Sequence, residues 1–317
     1  MMKNGRRYGA GLLAGLLLPY ALACRFSAPF AVLALRRLSR PAMLALHRLT
    51  ARVPFPAAEL AGLLLATAAL LPLAMAACRA VLRRSAAPLA RWLRSAACVA
   101  LPLAALLILL WLPPCAATPE DLPAPSEAEP LAWLCGELID ALNEAPLRFS
   151  APDAILRRAP EAAGMPECVV KSARYPEWMR AVRVSGLFVP LTGEALVDAG
   201  APTSLLPFTA VHELMHLAGV ADEGAANIAA WERCLAAGGE FAESARLWAL
   251  RCAMGQLRRT NAAAWQRARD KMKDGLSTVF QQINGDAAPA SPGQAALRLS
   301  PGDYGALVGY LASRPSA

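Results

Sequence analysis

Residues 211–227, VHELMHLAGVADEGAAN, hold two of the protein's three histidines four residues apart, with a glutamate directly after the first. On a helix of about 3.6 residues per turn, His212 and His216 project from one face a turn apart, so two neutral imidazoles can meet one tetrahedral cation. Glu213 stands beside them. This is the HExxH arrangement of zinc hydrolases, in which the glutamate is not a ligand but takes a proton from a metal-bound water that then attacks a polarised peptide carbonyl. The bland alternative is an amphipathic helix whose Leu214, Met215 and Leu217 pack inward while the histidines merely lie on its face. The residues that follow weigh against it, because they too fit a site.

A zinc hydrolase needs a third protein ligand and leaves a fourth position open for water. The remaining histidine, His47, is far upstream, so unless it folds back the third ligand is a carboxylate or a cysteine. Asp222 and Glu223 lie just beyond the turn at Gly219, and two spacings compete. Read as HExxHxxGxxD, the ligand is Asp222; read as HExxH followed by ExxAN, it is Glu223, one turn before Asn227 on a second helix. Asp222 is also well placed to be that helix's N-cap, accepting bonds from its first amides, which favours Glu223 as the ligand.

Around this stretch the chain is too apolar for an ordinary soluble enzyme: 317 residues, 56% hydrophobic, 18% charged, mean hydropathy +0.36. The apolar residues concentrate in the first 115, where three runs, 8–24, 57–77 and 96–116, are free of charge apart from Glu59 near one end. A bilayer crossing takes about 20 such residues, so these are three candidate transmembrane helices. Pro72, Pro102, Pro113 and Pro114 would kink or end a soluble helix, but membrane helices tolerate them better. Lys3, Arg6 and Arg7 ahead of the first run also resemble a signal peptide ending at Ala21, Leu22 and Ala23; Tyr20 and Leu22 argue against cleavage. Arg36, Arg37, Arg40, Arg48 and Arg52 alternate with apolar residues, which predicts an amphipathic helix lying in the membrane interface.

Short-loop lysines and arginines set orientation. Three spans put the N-terminal charges and those of 79–94 on one side, eight together, against six in 25–56. Beyond Trp111 the chain turns acidic and proline-rich, TPEDLPAPSEAEP, as a segment leaving the outer face does. The remainder is therefore expected outside the cytoplasm. The net charge of +8 resides in juxtamembrane loops and one late helix, with no aromatic-interleaved patch, so anionic lipid is the expected partner and nucleic acid is not. The eight cysteines fit no CxxC pattern; Cys135, Cys168, Cys234 and Cys252 fall in the soluble part, where an oxidising exterior would permit one or two disulfides.

The predicted organisation is a membrane domain over 1–117, a Pro-rich linker at 118–130 and a mostly helical domain over 131–317. Within the last, helices are expected at 131–143, 152–163 and 167–179, and a small β-hairpin from 181–190 and 194–198, turned at Leu191, Thr192 and Gly193. The HELMH helix follows, then a helix over 223–237, a turn at Gly238 and Gly239, a long basic helix over 241–274, a flexible GDAAPASPGQ segment and a last helix at 301–311 carrying Tyr304 and Tyr310. The hairpin edge could accept substrate as an added strand, or the hairpin could simply pack. Glu194 is left without a role, its bland reading being a surface acid at the hairpin end.

Residues 185–227, SGLFVPLTGEALVDAGAPTSLLPFTAVHELMHLAGVADEGAAN, resemble a family of bacterial membrane proteins known as domain of unknown function 3810 (DUF3810). The shared features are a PFTGEA-like segment, an LPFT-type approach to HExxH, an ExxAN-like ending, a few N-terminal spans and a C-terminal SYG-like helix echoed by Asp303, Tyr304 and Gly305. Leu217 and Ala225 depart from the family, where a glutamine and an acidic residue stand. The resemblance implies a mainly α fold, with N-terminal transmembrane helices followed by a zincin-like domain, in a multi-pass bacterial membrane protein. It further implies zinc (Zn2+) on His212, His216 and Glu223, with Glu213 as the base, acting on a peptide or protein substrate. An oxyanion stabiliser, Tyr304, Tyr310 or an arginine, is required as well. The competing expectation is an inactive zinc-binding membrane protein with a structural or signalling role.

Overall fold

The computed structural model describes residues 16–117, 128–285 and 303–313. The N-terminal charges, the start of the first expected span, residues 118–127 of the expected linker and most of the GDAAPASPGQ segment lie outside them. Helices make up 74% of the structure and the only sheet among the described residues has three short strands, so the fold is mainly α. Contacts divide the chain into two units, one of residues 1–117 with 189–194, the other of 118–188 with 195–317.

In the first unit, α1 (Leu16–Phe26) meets α2 (Ala28–Thr50) at a bend of 119°. Ser27 makes the corner: its hydroxyl accepts from the Phe30 amide at 3.4 Å and Pro29 sits in the first turn, a helix start just beyond the apolar run of 8–24. Of the first expected span, 8–24, the described part lies in α1, and the bend falls just beyond its end. Along α2, Ala31, Ala34, Met43 and His47 are buried while Arg36, Arg37, Arg40 and Arg48 are exposed, the amphipathic pattern expected of this arginine-rich segment. Two further helices, α3 (Ala57–Leu82) and α4 (Ala87–Ala116), pack together and are long and apolar enough to cross a membrane, with mean hydropathies of 2.1 and 2.4. Their apolar residues are largely left unburied, as lipid-facing helices require. The chain is a membrane protein with two such helices among the described residues, or three if the bent pair is one span.

Residues 189–194, the turn of the hairpin, belong to this unit. The His47 Nδ1 lies 2.8 Å from the Gly193 carbonyl, and the Thr50 hydroxyl donates to the Thr192 carbonyl at 3.2 Å. Glu194 is buried, not a surface acid: its two carboxylate oxygens accept from the Ala57 and Ala58 amides at 2.9 and 2.6 Å. Those are orphan donors at the start of α3, whose N-cap, Pro56, supplies no side-chain acceptor. Gly193 has φ +67°, and a Cβ there would meet the Met43 carbonyl oxygen at 2.5 Å and the His47 amide nitrogen at 2.6 Å. Gly193→Ala should therefore destabilise this unit by about 2 kcal/mol or more, read as a lowered melting temperature in detergent. An unchanged melt would show that the turn is loosely held.

The second unit begins with α5 (Ala128–Glu144) and α6 (Pro152–Ala162). The helix expected at 167–179 is instead a strand, β1 (Val170–Ser172), followed by the short α7 (Glu177–Ala181). Val170 to Ser172 pair in parallel with Ala195 to Val197, a long-range partner that outweighs local helical spacing. Strands β2 (Gly186–Val189) and β3 (Glu194–Val197) form the expected hairpin, in the order β1-β3-β2, with β3 buried along its length. Helices α8 (Leu206–Leu217), α9 (Glu223–Ala237) and α10 (Gly239–Thr260) follow. Gly238 and Gly239 take φ of +69° and +53° at the turn between the last two. The basic helix expected over 241–274 breaks at Asn261, whose side chain accepts from the Ala264 amide at 2.9 Å and starts α11 (Ala262–Asp270). Helices α12 (Asp274–Gly285) and α13 (Asp303–Ala312) complete the unit.

Helix α8 is the core, with α6, α9 and α10 packed against it and Phe208, Val211, Leu214 and Leu217 buried. Its N-terminus is held by α10: the Phe208 amide donates to the Ser244 hydroxyl at 3.1 Å, and the Phe208 ring stacks on Trp248 at 5.4 Å. Cys135, Cys234 and Cys252 are free thiols, so no disulfide joins any of these three. Burial pushes the Cys135 thiol up to about 12, keeping it protonated.

Candidate metal centre

Helix α8 positions His212 and His216 one turn apart, and the chain reverses through Gly219, at φ +102°, into α9. Asp222 caps that helix, its carboxylate accepting from the Ala225 amide at 2.8 Å. The next residue, Glu223, reaches back across the turn. The two imidazole Nε2 atoms are 3.0 Å apart, with Glu223 Oε2 3.1 Å from that of His212 and Oε1 3.5 Å from that of His216. These three residues are a group able to hold a metal ion, their donor atoms all within 4.8 Å of one another. The structure thus brings His212, His216 and Glu223 together and gives Asp222 to the cap. His47 takes no part; it sits on the hairpin turn.

The His216 Nδ1 lies 2.6 Å from the Val220 carbonyl, so it donates there and leaves the Nε2 lone pair facing the group. Burial opposes charge on His216, but the Glu223 hydrogen bond, with the charges of Glu213 and Glu223, overcomes it and raises the imidazole to about 8. Burial also works against the Glu223 carboxylate, yet its bonds to both imidazoles hold it well below the usual carboxylate range. Glu223 is half exposed at 51%, whereas His216 is 6% exposed, so the group opens toward solvent on the glutamate side.

Glu213 is buried at 5% exposure beneath β2. Burial pushes its carboxyl above the usual carboxylate range and Glu223 adds to this, against the pull of His212, His216 and the Phe188 amide bond. The strand passes so close that a Cβ on Gly186 would meet Glu213 Oε1 at 2.3 Å. Sequence reasoning missed Gly186 and Phe188 as neighbours of the glutamate; a glycine inside a strand pattern was the available signal for a close approach. Asn227, which the ExxAN spacing named without giving it a role, is 1% exposed, and its amide nitrogen and oxygen have no hydrogen-bond partner, like the buried Nδ1 of His212. Of the expected oxyanion donors, Tyr310 donates to Glu232, nine residues or about 13 Å along α9 from Glu223, and the side chain of Tyr304 lies outside the described structure.

Fold and site together define a membrane protein of two or three candidate spans whose helical second unit carries a His-His-Glu group on two adjacent helices. The chain belongs to the family described as protein of unknown function (DUF3810), whose model matches residues 36–289. No curated protein and no solved structure matches it.

Proposed function

We propose that this protein is a membrane-anchored zinc metallopeptidase with a zincin-like second unit, hydrolysing a peptide or protein substrate. The observation that carries the reading is the donor spacing. Zinc bonds of about 2.05 Å in a tetrahedron put neighbouring donors about 3.3 Å apart; the two Nε2 atoms are 3.0 Å apart, Glu223 Oε2 is 3.1 Å from one and Oε1 3.5 Å from the other, and one donor atom from each residue lies within 4.8 Å of the other two. The donor chemistry agrees, since two imidazoles and a carboxylate suit zinc and leave one position open. When bound, the ion supplies Lewis acidity toward a carbonyl and lowers the pKa of water.

The chain's own residues do the rest. His216, fixed in one tautomer by Val220, keeps its Nε2 available as a donor. Glu213, oriented by the Phe188 amide and confined by Gly186, takes a proton at its carboxylate and returns it to the leaving amine. Its raised proton affinity suits that exchange. Strand β2 is an edge of the sheet beside this glutamate, where an extended peptide can add as a further strand. The distribution of basic residues supports an orientation with the second unit outside the cytoplasm, and the family resemblance a bacterial cell membrane.

Metal analysis and cleavage together test the proposal. Purified protein should hold about one zinc per chain, and cleavage of a peptide panel should stop with 1,10-phenanthroline and return with added zinc. Zinc without cleavage would favour a metal-binding, non-enzymatic role; absence of zinc would end the reading.

A further inference from the structure

A histidine that binds a metal through Nε2 must carry its proton on Nδ1, because a neutral imidazole has one N–H and one lone pair. That proton needs an acceptor. His216 has one in the Val220 carbonyl, 2.6 Å from its Nδ1. The Nδ1 of His212 is buried and has no hydrogen-bond partner among the described residues. A buried N–H left unmet is costly, so a chain that uses His212 as a ligand should place an acceptor beside it.

One buried side chain has the matching deficit. Asn227 is 1% exposed, and its amide nitrogen and amide oxygen are both orphaned, a rare state for a group with two donors and an acceptor. Its place in the fold brings it level with His212. Helices α8 and α9 pack together and are joined by the short reversal at 218–222, so they run back along one another. One turn back along α8, from His216 to His212, is therefore matched by one turn forward along α9, from Glu223 to Asn227. Glu223 already faces both imidazoles, and Asn227, four residues on, shares its side of α9.

We infer that Asn227 is a positioning residue of the metal centre: its amide oxygen accepts the Nδ1 proton of His212, directly or through one buried water, and fixes the tautomer that presents Nε2 to the ion. Each imidazole is then backed by a different group, a main-chain carbonyl for His216 and a side chain for His212. The inference rests on the zinc reading above and adds to it a residue that touches neither metal nor substrate.

The test uses the full chain in detergent. Zinc affinity is measured by competition with a chelator, and the imidazole protons are read by nitrogen-correlated NMR, which three histidines keep simple. Zinc-loaded native protein should show a His212 Nδ1 proton shielded from exchange with water. In Asn227→Leu that signal should be lost to exchange and zinc should bind about ten- to a hundred-fold more weakly, while the His216 Nδ1 proton stays as it was. Asn227→Asp restores an acceptor and should recover most of the lost affinity. A residue that merely filled space would give the opposite order, since leucine fills a buried site and an aspartate strains it. Native protein that binds no zinc would end both this inference and the reading beneath it. Native protein that binds zinc without a shielded Nδ1 proton on His212 would overturn this inference alone, as would an aspartate variant that binds zinc more weakly than the leucine one. The native spectrum decides the matter even where a variant fails to fold.

Discussion

Glu213→Gln is expected to leave zinc content unchanged while lowering peptide hydrolysis about a thousand-fold. The substitution is nearly isosteric, and the space beneath Gly186 admits a glutamine as it admits the glutamate. Its amide oxygen can still accept the Phe188 amide bond, so packing and metal affinity should persist. What it cannot do is take up a proton. Zinc content by mass spectrometry and turnover on the same preparation separate the two properties. Hydrolysis surviving at the native rate would remove Glu213 from the chemistry and, with it, the mechanism proposed above.

His212→Ala should act on the other half of the site, weakening zinc by at least about a hundred-fold, the upper cost of losing even an indirect supporter of a metal ligand. The fold should survive, because α8 is secured by Phe208, Leu214 and Leu217 and by the Ser244 bond rather than by its histidines. Native protein should therefore melt at a higher temperature as zinc is added, and the variant should not. A variant that binds zinc like the native chain would falsify the assignment of His212 as a ligand.

Local signals carried much of this architecture. The HELMH spacing gave the helix and the pairing of its histidines, and Asp222 behaved as its residue type suggests, accepting from Ala225 and leaving Glu223 to face the imidazoles. Charge-free runs located α3 and α4. The failures share a cause, which is partners distant in sequence. Val170 reads as helical until β3 is placed beside it. Glu194 reads as a surface acid until Ala57 and Ala58 present their amides. Gly186 is an ordinary strand glycine until Glu213 is beneath it. Asn261 is a different matter: it is a helix-starting residue whose local signal was overridden by the longer basic run around it.

The hairpin turn also fixes an order of events during synthesis. The first unit runs to residue 117 and then lacks one piece, residues 189–194, which the ribosome makes only later. Until that turn emerges, the Ala57 and Ala58 amides wait for Glu194, and His47 waits for the Gly193 carbonyl. Insertion of α3 and α4 can thus precede completion of the unit they belong to, and translation past residue 194 becomes its closing step. A chain cut after residue 117 would keep its membrane helices and lose their clasp.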